Sequence, residues 1–67
     1  MKILKLRGKM VEKGVNVESL ASDMGIDRAT LYRKLNDGEK FTIGDAKKIK
    51  TALKLTDEEA NDIFFGH

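Results

Sequence analysis

Residues 17 to 36 read VESLASDMGIDRATLYRKLN, with Val17 at the start and Asn36 at the end. Small Ala21 precedes Gly25 by one helical turn, Ile26 follows the glycine directly, and Leu31 comes shortly after. Glycine permits the positive backbone dihedral of a sharp bend, and Ile26 then plugs the corner. This is the spacing of a helix-turn-helix, a unit whose dominant use is to hold its second helix in the major groove of DNA.

The two arms of the motif are consistent with burial of one side each. Leu20 and Met24 share a face of the first arm, about residues 17 to 24, and Leu31 and Leu35 share a face of the second, from Arg28, because side chains four apart stack on a helix. Ala21 lets the two axes approach closely where a larger side chain would push them apart. The opposite side of the second arm presents Arg28, Ala29, Tyr32 and Arg33, with Lys34 and Asn36 at its flank. Asn16 caps the first arm, Glu18 sits in its electropositive first turn, and Asp27 is expected to accept hydrogen bonds from the free amides of the second. Asn36, Asp37 and Gly38 end it.

Outward from the motif, further helices follow. Ile3, Leu6, Met10 and Val11 recur at helical spacing with lysines mostly on the other faces, so residues 2 to 13 read as an amphipathic helix that Gly14 stops. After a loop holding Glu39, Lys40 and Phe41, Thr42 and Asp45 form a capping box, and Ala46, Ile49 and Leu53 face inward along the helix it opens. Thr56 and Glu59 form a second capping box, ahead of a stripe of Ala60, Ile63 and Phe64 that Gly66 closes. The chain thus reads as a compact all-α domain of five short helices over residues 1 to 67, without a linker, a repeat or any proline.

Composition narrows the function. With 67 residues the chain hides only about 60% of the surface its unfolded form exposes, which leaves no room for a catalytic cleft beside a scaffold, and we expect no enzyme activity and no cofactor. The chain has no cysteine and one histidine, His67, so a metal site lacks its usual ligands. No apolar run approaches a membrane span or a signal peptide, and a cytosolic location is expected. Residues 1 to 54 carry all 13 Lys and Arg against 7 acids, while the last 13 residues carry 4 acids and no Lys or Arg. The two ends are therefore expected to face different surroundings, and the basic body suits a polyanion. Met10 and Met24 read as core fillers, Lys47, Lys48, Lys50 and Lys54 as the wet face of the fourth helix, and acids 57 to 59 as partners of a helix dipole rather than of a metal.

The run GIDRATLYRKLN, the EKG before the motif and the following FTIGDAKKIKTALKLTDEEANDIFF resemble the lambdoid repressor and Cro family of helix-turn-helix proteins carried by phages and prophages. The resemblance implies the lambda-repressor-like fold and sequence-specific binding of an operator in double-stranded DNA. It further implies that the first turns of the second arm read base edges. Arg28 there can offer two donors to guanine, its alternative being a surface ion pair. Arg33 reads a base or grips phosphate. Ala29 meets a thymine methyl or avoids a clash, and Thr30 contacts DNA or completes the turn. Tyr32 donates to phosphate or packs over the first helix, and Lys40 lies where the family approaches the backbone. Two positions depart from the family pattern. Val17 stands where a phosphate-clamping glutamine is common, a role open to Asn16 or to backbone amides, and Lys34 replaces an apolar residue, with Leu35 taking over its burial.

Specific recognition usually takes two copies on half-sites about 34 Å apart. Ile63 and Phe65 on the last helix are the expected weak two-fold contact, Phe65 alternatively covering the core of its own chain. Two other functions fit the same helices: a protein-interaction or antitoxin-like module, and a nonspecific nucleoid-type DNA binder.

Overall fold

The computed structural model describes residues 1–37 and 41–65. Five helices follow one another: α1 (Ile3–Lys13), α2 (Val17–Met24), α3 (Arg28–Asn36), α4 (Ile43–Ala52) and α5 (Asp57–Phe64). No strand occurs among the described residues. The all-α, five-helix reading of the sequence holds.

Local chemistry sets most boundaries. Asn16 Oδ1 accepts from the Ser19 amide at 2.7 Å and starts α2. Thr42 with Asp45 and Thr56 with Glu59 form the two expected capping boxes. Gly14 and Gly25 adopt left-handed φ of 68° and 73°, the geometry that returns the last carbonyls of a helix to the chain beyond it. The Ile26 amide accordingly bonds Ala21 O at 3.0 Å, locking the turn that aims α3. Asp27 is the exception. Its backbone is extended, but its side chain accepts no capping hydrogen bond, so the turn on the α2 side, rather than a cap, positions the start of α3. After α4 the reversal falls on Lys54, the one described residue other than glycine with positive φ, at 53°. The expected closing roles of Gly38 and Gly66 lie outside the described residues.

Around one core, α2 packs on both α3 and α4, and α5 packs on α1 and α4. Leu6, Leu20, Leu31, Ile49, Leu53 and Ile63 are fully buried, and Met10, Ala21, Met24, Leu35, Leu55 and Ala60 complete the interior. Phe41, Phe64 and Ile26 pack partly against it. The inward set of α1 differs from the expected one: Val11 is 82% exposed and joins Leu4, 85% exposed, on the outer side. Val11 lies one turn-fraction round from Met10 and two turns from Leu4, so burying Leu6 and Met10 necessarily turns it outward.

The expected separation of charge between the two ends is also corrected. Because α5 packs on α1, its acids meet the lysines of the first helix. Lys5 Nζ donates to Asp62 at 2.6 Å, with Lys2 at 3.8 Å, and Lys9 pairs with Glu59 and Glu12. Lys50 binds Asp57. Lys9 and the backbone N–H of Thr56 hold the Glu59 carboxyl down to about 2. Fold-internal pairing thus consumes much of the basic character of α1.

Candidate nucleic-acid interface

The outer side of α3 is built by its inner side. Leu31 is 0% and Leu35 2% exposed, and holding these in the core turns Ala29 and Arg33 to the far side of the helix, while Arg28 stands at its first residue. Arg28, Ala29, Tyr32 and Arg33 are all exposed, while Thr30 is half-buried at the edge. Tyr32 retains 47% of its surface. Four of the five α3 residues singled out from sequence are therefore open to solvent along one helix.

The arginines are already engaged with neighbours. Arg33 Nη2 donates to Thr30 Oγ1 at 3.3 Å, one turn back along α3. Arg28 Nη1 lies 3.7 Å from Glu18 Oε2 on the first turn of α2, both side chains largely in solvent. Sequence reasoning read Glu18 only as a partner of the α2 dipole, because nothing in the chain order says that a carboxylate in one arm reaches an arginine in the other. The remaining member of the expected set on α2, Asn16, spends its carbonyl oxygen on the Ser19 amide. Its carboxamide NH2 remains the group able to donate to a phosphate. Lys40 lies outside the described residues.

Lys34, which stands where the family commonly has an apolar residue, is itself half-buried. Its ammonium lies 3.0 Å from Asp45 Oδ2 and 5.9 Å from the centre of the Phe41 ring, with only 21% of the side chain exposed. Burial alone pushes the Asp45 carboxyl up, but the Thr42 backbone N–H and the Lys34 ammonium outweigh it and hold the group below its usual range. The lysine thus joins the C-terminal half of α3 to the N-terminus of α4, where an apolar residue would leave Asp45 with its cap alone. On the fourth helix, Lys47 and Lys48 are exposed as expected, and Lys48 Nζ also donates to Met24 O at the end of α2, at 3.3 Å. That contact steadies the carbonyl end of the first arm.

Near the other end of the domain, one of the two residues expected to make a two-fold contact is withdrawn from the surface. Ile63 is 1% exposed and belongs to the core, whereas Phe65 is 59% exposed. Successive helical residues point about 100° apart, and α5 spends its Ile63 direction on the core it shares with α1. Ile43, 72% exposed, lines the same groove as Phe64 and Phe65.

Among the described residues, no cluster of three or more His, Cys, Asp or Glu is arranged to hold a metal ion, and no helix is long and apolar enough to cross a membrane. Neither a curated protein nor a solved structure matches the chain. The family model of the Cro/C1-type HTH DNA-binding domain matches residues 5–64, which takes in all five helices but for the first residues of α1. An exposed, arginine-bearing second arm, packed as a helix-turn-helix within such a match, makes this chain a member of the Cro/C1-type helix-turn-helix family and a DNA-binding transcription regulator.

Proposed function

We propose that the 67 residues act as a single sequence-specific DNA-binding domain, a phage- or prophage-type repressor working in the bacterial cytosol, which occupies an operator and obstructs or recruits polymerase. The observation that carries this reading is the exposure of Arg33, across α3 from fully buried Leu31, and of Arg28 at the first residue of the same helix. Arg28 on the first turn offers its guanidinium to the O6 and N7 of a guanine, Ala29 approaches a thymine methyl, and Arg33 with Thr30 reaches a base or the adjoining phosphate. Tyr32, Asn16 and Lys40 donate to phosphates and set the register.

Two copies bind adjacent half-sites. Phe65, with Ile43 in place of Ile63, forms a small two-fold contact that strengthens on DNA. Sedimentation of a pure monomer at millimolar concentration together with noncooperative operator binding would remove this part of the reading.

The deciding experiment is selection of bound duplexes from a random pool, followed by titration at several salt concentrations. A palindromic winner preferred by roughly a thousandfold or more over random sequence is expected. Equal binding to all duplexes, fading steeply with salt, points instead to a nonspecific binder, and absence of DNA binding at physiological salt to a protein-interaction module. Arg28→Ala should cost about 1 to 3 kcal/mol on the selected duplex and relax choice at one base pair.

A further inference from the structure

The ion pair between Glu18 and Arg28 spans the two arms of the helix-turn-helix: the carboxylate stands on the first turn of α2, the guanidinium on the first residue of α3. The side chains are 77% and 64% exposed and separated by 3.7 Å. A pair this open to water adds little to folding, and neither residue belongs to the core. On a surface offered to DNA, however, a carboxylate has a definite effect. It repels phosphate, and beside an arginine it cancels the charge that would draw that arginine to any phosphate within reach.

We propose that Glu18 is a specificity-determining positioning residue, which holds the Arg28 guanidinium on the α2 side of the first turn of α3 and directs it to a guanine edge rather than to the DNA backbone. The chemistry of the guanidinium permits both contacts together. It carries five N–H donors in a planar fork, so one edge engages Glu18 while another is left for O6 and N7. Restraint before binding also reduces the rotamer freedom the arginine loses on the operator. On nonspecific DNA the same carboxylate is a net cost, because no guanine compensates for its approach to phosphate.

This inference rests on Arg28 reading a base, and the test separates the two. The full chain and its Arg28→Ala, Glu18→Gln and doubly substituted variants are titrated against three kinds of duplex. These are the duplex recovered by selection, its three single-base-pair variants at the position that Arg28→Ala relaxes, and a scrambled duplex of equal length. Circular dichroism establishes that each variant is folded. Glu18→Gln is expected to lower discrimination at that base pair about two- to fivefold, the scale of an exposed ion pair. It should also raise affinity for scrambled DNA, with a salt slope steeper by about one phosphate contact. In the Arg28→Ala background it should leave discrimination there unchanged. Wild-type discrimination in Glu18→Gln, or a loss of the same size with and without Arg28, overturns the proposal while leaving Arg28 as a base reader. A uniform loss of affinity on every duplex in Arg28→Ala overturns the base-reading role and the proposal with it.

Discussion

Glycine-to-alanine replacement at positions 8 and 25 should shift stability in opposite directions, although a new Cβ meets nothing within 4 Å at either site. Crowding therefore drops out, and only the backbone distinguishes them. Gly8 lies inside α1, where alanine is favoured over glycine by about 0.8 to 1.0 kcal/mol. Gly25 holds φ at 73°, a region that costs a residue with a Cβ about 1 to 2 kcal/mol, partly offset by about 0.4 to 1 kcal/mol from a less flexible unfolded chain. The two single variants should then differ by roughly 2 kcal/mol, which in a domain of this size separates their melting temperatures by roughly 8 to 16 °C. Thermal and urea unfolding followed by circular dichroism measure both shifts. Melting of Gly25→Ala at or above the wild type, or of Gly8→Ala below it, would refute the account of the turn that aims α3. DNA affinity, measured where all forms are folded, should be unchanged in Gly8→Ala.

Leu31→Ala empties a site that is 0% exposed on the inner side of α3 and should lower stability by about 2 to 5 kcal/mol, enough to unfold much of a small domain; an urea midpoint close to the wild type would place the packing of α3 elsewhere. Acid should weaken the α1–α5 contact in a defined window. Because the Glu59 carboxyl lies at about 2 in the fold against 4.5 for an unperturbed group, its contribution is complete above the higher value and fades as pH falls toward the lower one. Glu59→Gln, which keeps a capping-box side chain, should flatten that decline in the urea midpoint. A residual slope should remain from Asp57 and Asp62, whose lysine partners also hold them low.

Much of the molecule was legible in short-range chemistry. The cap at Asn16, the boxes at Thr42 and Thr56 and the stops at Gly14 and Gly25 involve residues within one turn of each other, so local sequence suffices to mark where those helices begin and end. The inner side of α3 was equally readable, since Leu31 and Leu35 stand one turn apart, and with it the outward display of Ala29 and Arg33, whereas Arg28 is exposed at the first residue of the helix. Asp27 failed the same kind of reading because a suitable residue type at a helix start does not oblige its side chain to turn back onto the amides.

By itself, then, the order of residues determined the helices, the turn and the buried side of α3, all of which follow from periodicity and from contacts between near neighbours. Tertiary structure alone decided which charges remain for DNA and which are spent inside the fold. Lys5 and Asp62 lie far apart in sequence, as do Lys9 and Glu59, and only the docking of α5 on α1 brings them together. The same docking buries Ile63 and leaves Phe65 outside, and the folding of α2 against α3 sets Glu18 beside Arg28. Helical periodicity orients a side chain about its own axis but carries no information about which second axis comes to lie against it.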